Sequence, residues 1–450
     1  MKRPAIILIV SFLIYCTAAQ ASDAPIVIDH IRPVKEEPAK TYDISVPLTL
    51  AECYELALKQ REVIAMNESL IKQAESRFLQ AMSIMMPYFS FQSKDMQESI
   101  PNDEGTTLST LKPTKSSERQ FQVKQILFSG FKAFAAMSGS KLEKEQRAAE
   151  KLRAEQLLLV DVSNAFYLLV EKREDYKAMI RIEKALSDRV KELGAREDLG
   201  RSRPSEVVNA KSQLYSVEAD IKVVKSEEII ARQLLEFLTG RRVDKVKDTY
   251  KIPEYIMSEE YYVAKFMNRP DIKALEKAWK FSEKQLQVVN SDFLPTVSWQ
   301  GNFYTQRTGF NKDTDWDVML NASVPIFSGT EILGKSREYQ FKAQENQLKY
   351  IRLKRLAPYD IKDSYVRFGT AVSVYENLRN AFRTAKVNYF LQRKDYTRSL
   401  VSNLDVLAAI QTLQNAQRNY IHSIYAAKRL YWQLRVSVGD NMREALNDAI

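Results

Sequence analysis

The sequence predicts an α+β fold in which long antiparallel coiled-coil helices carry four β-strands. Three observations lead there. Only 12 glycines and 14 prolines occur in 450 residues, which suits long uninterrupted helices. One unit of about 200 residues occurs twice. Within each unit, stretches with a seven-residue apolar period flank stretches that alternate every second residue.

The N-terminus reads as a secretion signal. Met1-Lys2-Arg3 is basic, Ala5 to Tyr15 is apolar, and Ala19-Gln20-Ala21 offers an A-x-A cleavage site. Residues 1–21 are therefore expected to be removed. Cys16 follows the bulky Tyr15, which argues against lipidation at that cysteine. Cleavage leaves Cys53 as the single thiol, so no intrachain disulfide can form. Beyond the signal no run of about 18 apolar residues follows, so the exported chain is either soluble or enters a membrane as a β-barrel. The formal charge of +10 comes from 67 basic and 57 acidic residues interspersed along helical stretches. That pattern describes solvated helix faces and not a nucleic-acid footprint.

The duplication is explicit. Ile126-Leu127-Phe128-Ser129-Gly130 returns 199 residues later as Pro325-Ile326-Phe327-Ser328-Gly329. At the same offset Glu206-Val207-Val208, with Ala210 and Leu214, matches Asp405-Val406-Leu407, with Ala409 and Leu413. Pro87 to Gln92 matches Pro295 to Gln300 at an offset of 208, and so do Arg61 and Ile64 with Arg269 and Ile272. The nine-residue difference places a longer loop between Pro87 and Phe128. The predicted organisation is an extended segment 22–47, a first repeat 48–240 with its hairpin at 87–128, an inter-repeat segment 241–268, a second repeat 269–439 with its hairpin at 295–327, and a tail 440–450.

Each repeat reads as helix, hairpin, long helix, helix. Thr49 and Glu52 form a capping box that starts the first helix, where Leu50, Ala57, Ile64, Ile71, Phe78 and Met85 recur by sevens. The stretch from Met137 to Glu197 predicts one helix of about 90 Å. The last helix of the first repeat carries the rows Val207, Leu214, Ile221, Glu228, Leu235 and Ala210, Val217, Val224, Ala231, Leu238. The corresponding rows of the second repeat run from Val406 to Leu434 and from Ala409 to Ser437. Phe368, Tyr375, Phe382, Tyr389 and Tyr396 make an aromatic row. Strict sevens predict supercoiled helices, and Pro358 predicts a kink or break in the long helix of the second repeat.

The hairpins alternate instead. Val297, Trp299, Gly301 and Phe303 interleave with Ser298, Gln300 and Asn302, and Trp316 to Ile326 continues the pattern on the partner. The first repeat is weaker, with Phe89 and Phe91 on one strand and Phe121 and Val123 on the other. A soluble antiparallel sheet alternates in the same way. The export signal and the lack of another apolar face to cover the strands favour a membrane barrel. Four strands cannot close a barrel and open edges cannot face lipid, so that reading requires oligomerisation.

These features resemble the TolC-like outer membrane efflux protein family. The residues that carry the resemblance are the duplicated unit, the Pro-Ile-Phe-Ser-Gly strand end at 325–329, Arg269-Pro270-Asp271-Ile272 and Asp405-Val406-Leu407-Ala408-Ala409, spanning Leu48 to Gly439. The resemblance implies a homotrimer whose chains give four strands each to a twelve-stranded barrel, a long periplasmic α-helical barrel, and a belt formed by 241–268 and the segment before Leu48. It implies a passive exit duct working with a periplasmic adaptor and an inner-membrane transporter, with no cofactor and no catalytic residue. It also implies a closed periplasmic end lined by carboxylates. Asp405 matches one of these, Glu206 holds the equivalent position, and Tyr396 matches a tyrosine that keeps the end shut. The pattern departs from the family at Ala408, where a second acid is expected. It departs again at Ser399, the counterpart of Gly200, and at Val401, where an arginine is expected and only Arg398 is near. Asn403 reads as the N-cap that puts Asp405 in a first helical turn, where the dipole favours an acid in any case. The alternative to a channel is a soluble periplasmic coiled-coil scaffold.

Gly329-Thr330-Glu331-Ile332-Leu333-Gly334-Lys335-Ser336 also fits the phosphate-binding pattern G-x-x-x-x-G-K-[ST], and Leu157 to Asp161 imitates its magnesium partner. Context argues against it. The preceding strand alternates and contains Pro325, whereas a phosphate-loop strand is continuously apolar. The repeat counterparts of Gly334, Lys335 and Ser336 are Ala135, Ala136 and Met137. The two histidines, His30 and His422, are isolated, and surface or interface roles suit them better than metal binding.

Overall fold

Apolar sevens bury a stripe only if two helices lie along each other, and this dictates the architecture. The computed structural model describes residues 47–60, 62–97, 115–253, 255–308 and 312–448. The predicted signal, Cys16 and His30 lie outside them. Helices α1 (Leu50–Gln60) and α2 (Glu62–Ser83) lead to strands β1 (Tyr88–Gln97) and β2 (Lys115–Ser129). Then come α3 (Lys132–Asp198), α4 (Pro204–Thr239), the short α5 (Glu259–Val263) and α6 (Pro270–Asn290). Strands β3 (Thr296–Arg307) and β4 (Trp316–Ser323) precede α7 (Glu331–Thr397), α8 (Asn403–Val438) and α9 (Met442–Asp448).

The duplication is visible in the lengths. Helices α3 and α7 each have 67 residues, and α4 and α8 each have 36. At 1.5 Å per residue the long pair spans about 100 Å. Helix α3 packs along α2 in its first part and along α4 in its second, and α7 does the same with α6 and α8. The shorter helices meet near mid-length. A Cβ on Gly240, just past α4, would lie 2.9 Å from the Gln60 side chain at the end of α1. A Cβ on Gly439, just past α8, would lie 2.8 Å from the Cα of Arg269 at the start of α6. Both glycines hold positive φ, 63° and 87°, and end their helices in the left-handed conformation.

The core is a set of seams. Around the middle, Leu50, Tyr54 and Ala57 of α1 pack with Leu159, Phe166 and Leu169 of α3, Leu235 of α4 and Trp432 of α8. The inter-repeat segment closes over this region: Leu48 bridges Val246, and Lys428 binds Asp248 and the Tyr250 carbonyl. A second seam joins Leu186 and Leu193 of α3 to Val207, Ala210, Val406 and Ile410. The aromatic row docks on α8, with Tyr375 and Phe382 stacked on Tyr420 at 5.9 and 5.5 Å. Glu228, the polar member of its heptad row, is buried and is met by Arg173 at 3.1 Å and Lys225 at 2.5 Å. The Thr49–Glu52 capping box is present, with Thr49 N donating to Glu52 Oε2 at 2.8 Å.

Two local details differ from the sequence reading. Pro358 does not break α7, which runs through it. The carbonyl it orphans belongs to Lys354, an exposed residue where water can serve, while Ala357 and Ile361 on the other face are fully buried in the seam. Met85 continues the sevens but lies beyond the end of α2, exposed.

Candidate functional site

The four strands form one antiparallel sheet in the order β1-β2-β3-β4. The β2–β3 pairing joins the two repeats, leaving β1 and β4 as edges. Register sorts the side chains by chemistry. Phe91 lies opposite Phe121, Phe121 opposite Phe303, and Phe303 opposite Trp316; Trp299 lies opposite Leu320. This gives one face made of Phe89, Phe91, Phe121, Val123, Trp299, Phe303, Trp316, Val318 and Leu320. No described part of the chain covers it: Phe89 and Leu320 are each 66% exposed. Trp299 folds over Gly301, whose missing Cβ would sit 3.1 Å from the ring. The first repeat, weak in sequence, supplies the longest strand. In the second repeat β4 stops at Ser323, before Pro325, which has no N–H for a ladder.

The other face is polar and internally bonded. Gln120 donates to Gln92, Gln92 to Gln122 and Gln122 to Asn302, each at 3.1 Å. Asn302 donates to Asp317 at 2.7 Å, and the Tyr304 hydroxyl binds the second Asp317 oxygen at 2.6 Å.

At the far end of the long helices, α3 turns into α4 through Gly200 and α7 turns into α8 through Ser399. Both hold positive φ, 68° and 60°. Ser399 thus adopts the backbone of the glycine it replaces, at a cost of about 1 kcal/mol. The N-cap of α8 is Ser402 and not Asn403. Ser402 N and Oγ donate to Asp405 Oδ2 at 2.9 and 2.6 Å, and Asp405 N donates back to Ser402 Oγ. These bonds hold the exposed Asp405 carboxyl below its ordinary range, the Ser402 side-chain bond contributing most. Its donor is its own cap and not a tyrosine. Glu206 takes a bond from Ser202 Oγ at 2.6 Å.

Asn403 is released from capping and buried. Its Oδ1 accepts from Arg189 Nε at 2.9 Å, and its Nδ2 reaches the Glu206 carbonyl at 3.5 Å. The starts of α4 and α8 are thereby brought together. Tyr396 does not face either acid. Its buried ring is covered by the guanidinium of Arg189 at 3.6 Å, with that of Arg196 at 4.7 Å. Arg189 is 4% exposed, binds Glu192 at 2.9 Å, and keeps Nη2 buried without a partner. A signal for it exists in the sequence. Met179, Ile182, Leu186, Arg189 and Leu193 are spaced 3, 4, 3, 4, so an arginine occupies a seam position that should be apolar.

The phosphate-loop pattern dissolves. Gly334 to Ser336 lie inside α7, Lys335 Nζ binds Glu331 at 2.5 Å, and Ser336 donates to Asn290 at 2.7 Å. His422 is exposed with Nδ1 2.9 Å from Glu171. Among the described residues no cluster of His, Cys, Asp and Glu could hold a metal ion, and no helix is long and apolar enough to cross a membrane.

Residues 265–440 match the family model for the outer membrane efflux protein. That match covers the second repeat and agrees with the TolC-like resemblance read from the sequence. It is 22% identical over 315 residues to the outer membrane protein TolC of Vibrio cholerae, covering 66% of this chain and 71% of that protein. Its fold is that of VceC from Vibrio cholerae, with a TM-score of 0.76, 18% identity, and coverage of 87% of this chain and 96% of the other. The CmeC outer membrane channel of Campylobacter jejuni gives 0.76 at 16% identity, covering 89% of each chain.

Proposed function

We propose that three copies close a twelve-stranded barrel through their β1 and β4 edges and act as a passive exit duct. Such a duct serves a tripartite efflux or type I secretion system, taking cargo from a periplasmic adaptor and an inner-membrane transporter that supplies the energy. One observation carries this reading. A sheet with one mainly apolar, aromatic-rich face and one mainly polar, hydrogen-bonded face stands at the end of 100 Å helices, with two edge strands. Open edges cannot stay in lipid, and joining β4 of one copy to β1 of the next satisfies both. Exposed apolar residues along α4, Val208, Tyr215, Val223, Ile230 and Phe237, leave a stripe for a neighbouring copy. The helix turns form the closable end, with Asp405 and Glu206 lining it and Tyr396, clasped by Arg189, holding the hairpins together.

The test is single-channel current from the mature chain purified in detergent and placed in a planar bilayer. Discrete conductance supports the duct. A chain that stays soluble and monomeric without detergent and passes no current is the soluble scaffold instead.

A further inference from the structure

The polar face of the sheet holds an imbalance that neither the fold nor the closable end uses. Its charged members among the described strand residues are Lys94, Glu118, Lys124, Arg307 and Asp317. Lys94 stands directly opposite Glu118, and Arg307 approaches Glu118 to 3.7 Å and lies 4.0 Å over the Tyr304 ring. Both Asp317 oxygens are taken, by Asn302 and Tyr304. Every amide of the Gln92, Gln120, Gln122 and Asn302 chain is turned toward another side chain. Lys124 is different. It is exposed, sits between Tyr88 on β1 and Gln300 on β3, and has no acid among its described neighbours. From strand spacing, Asp317 is about 12 Å away and Glu118 about 20 Å.

We propose that Lys124 makes the strand segment of the duct anion-preferring, so that anionic solutes meet a favourable step there on their way out. This rests on the duct reading, in which the polar face lines the lumen and threefold symmetry makes a ring of three Lys124 side chains with no counter-charge. The strand residues beside the ring, Tyr88, Gln122 and Gln300, are neutral, so the local field is that of Lys124. The polarity is opposite to that of Asp405 at the far end of the helices. The two sites act in series, and cargo passes an acidic entrance and a basic exit.

Reversal potentials under a KCl gradient test this, in planar bilayers at low salt. Asp405→Ala is the background, so that the entrance does not dominate. Three partly screened charges at about 10 Å predict a chloride-to-potassium permeability ratio that falls about two- to threefold in Lys124→Gln and inverts in Lys124→Glu. Lys124→Cys gives a second readout, since Cys53 is buried and silent. A water-soluble anionic thiosulfonate reacts with a lumenal cysteine and shifts selectivity toward cations, whereas a lipid-facing cysteine does not react. Conducting channels whose selectivity ignores all three substitutions overturn the proposal and leave the duct intact. Absence of any conductance in the parent overturns the duct itself, and this inference with it.

Discussion

Replacing Arg189 with alanine should loosen the turn end of the helical hairpins by about 2 kcal/mol. The charge-assisted bond from Nε to buried Asn403 contributes about 2 kcal/mol, and losing it leaves the Asn403 oxygen orphaned. The guanidinium 3.6 Å over Tyr396, shielded from water, adds about 1.5 kcal/mol. The half-exposed pair with Glu192 adds about 0.3 kcal/mol after screening. Against these stands relief of about 2 kcal/mol, because alanine removes a buried charge whose Nη2 has no partner. In the proposed duct, a net 2 kcal/mol raises the open-to-closed ratio about 30-fold. Hydrogen exchange of residues 398–406 in detergent reads this directly, and single-channel open probability reads its consequence. Arg189→Lys keeps the charge without the planar fork and should lose about half as much. Exchange and open probability unchanged within twofold in Arg189→Ala would refute the clasp.

Gly130 has φ 58°, and a Cβ there would lie 2.7 Å from Leu294 Cβ, so Gly130→Ala should cost about 3 kcal/mol in thermal or denaturant unfolding. Its repeat counterpart Gly329, also at positive φ but in open space, should cost only about 1 kcal/mol when changed to alanine. Asp405 has a folded pKa below the ordinary 3.8. Its cap therefore contributes fully above that value and is lost as pH falls through the folded one. Exchange protection in the first turn of α8 should be flat down to about pH 4.5 and fall below it, a dependence that Asp405→Asn abolishes. Burial pushes the Cys53 thiol up to about 12, so it should resist alkylation at pH 8 until the chain unfolds. Lys335→Ala should change neither conductance nor nucleotide retention, since Lys335 is engaged by Glu331.

The helices were legible because a seam buries every seventh residue, so Ala210, Val217, Val224 and Ala231 announce the seam that buries them. The second-repeat strands were legible through Trp299, Phe303 and Trp316. Those of the first repeat were fainter because glutamines and serines dominate β1 and β2, and only register shows that they continue a polar ladder. At the helix turns, Asp405 and Glu206 could be placed by the repeat, but their partners could not. Asn403 and Ser402 have nearly equal capping preference, and geometry alone decides between them. Arg189 escaped notice because it lies on α3 of the first repeat, 214 residues from the asparagine it holds.

The meetings of α4 with α1 at Gly240, and of α8 with α6 at Gly439, have a mechanical consequence. Each repeat contains one unbroken spar and one spliced rod. Twisting α4 and α8 at the turn end works against a splice and not against a continuous strut, so the torque ends at mid-length. The strands, fixed to the unbroken spars, need not follow. In the proposed duct, the aperture at one end can then change its bore while the sheet at the other keeps its circumference.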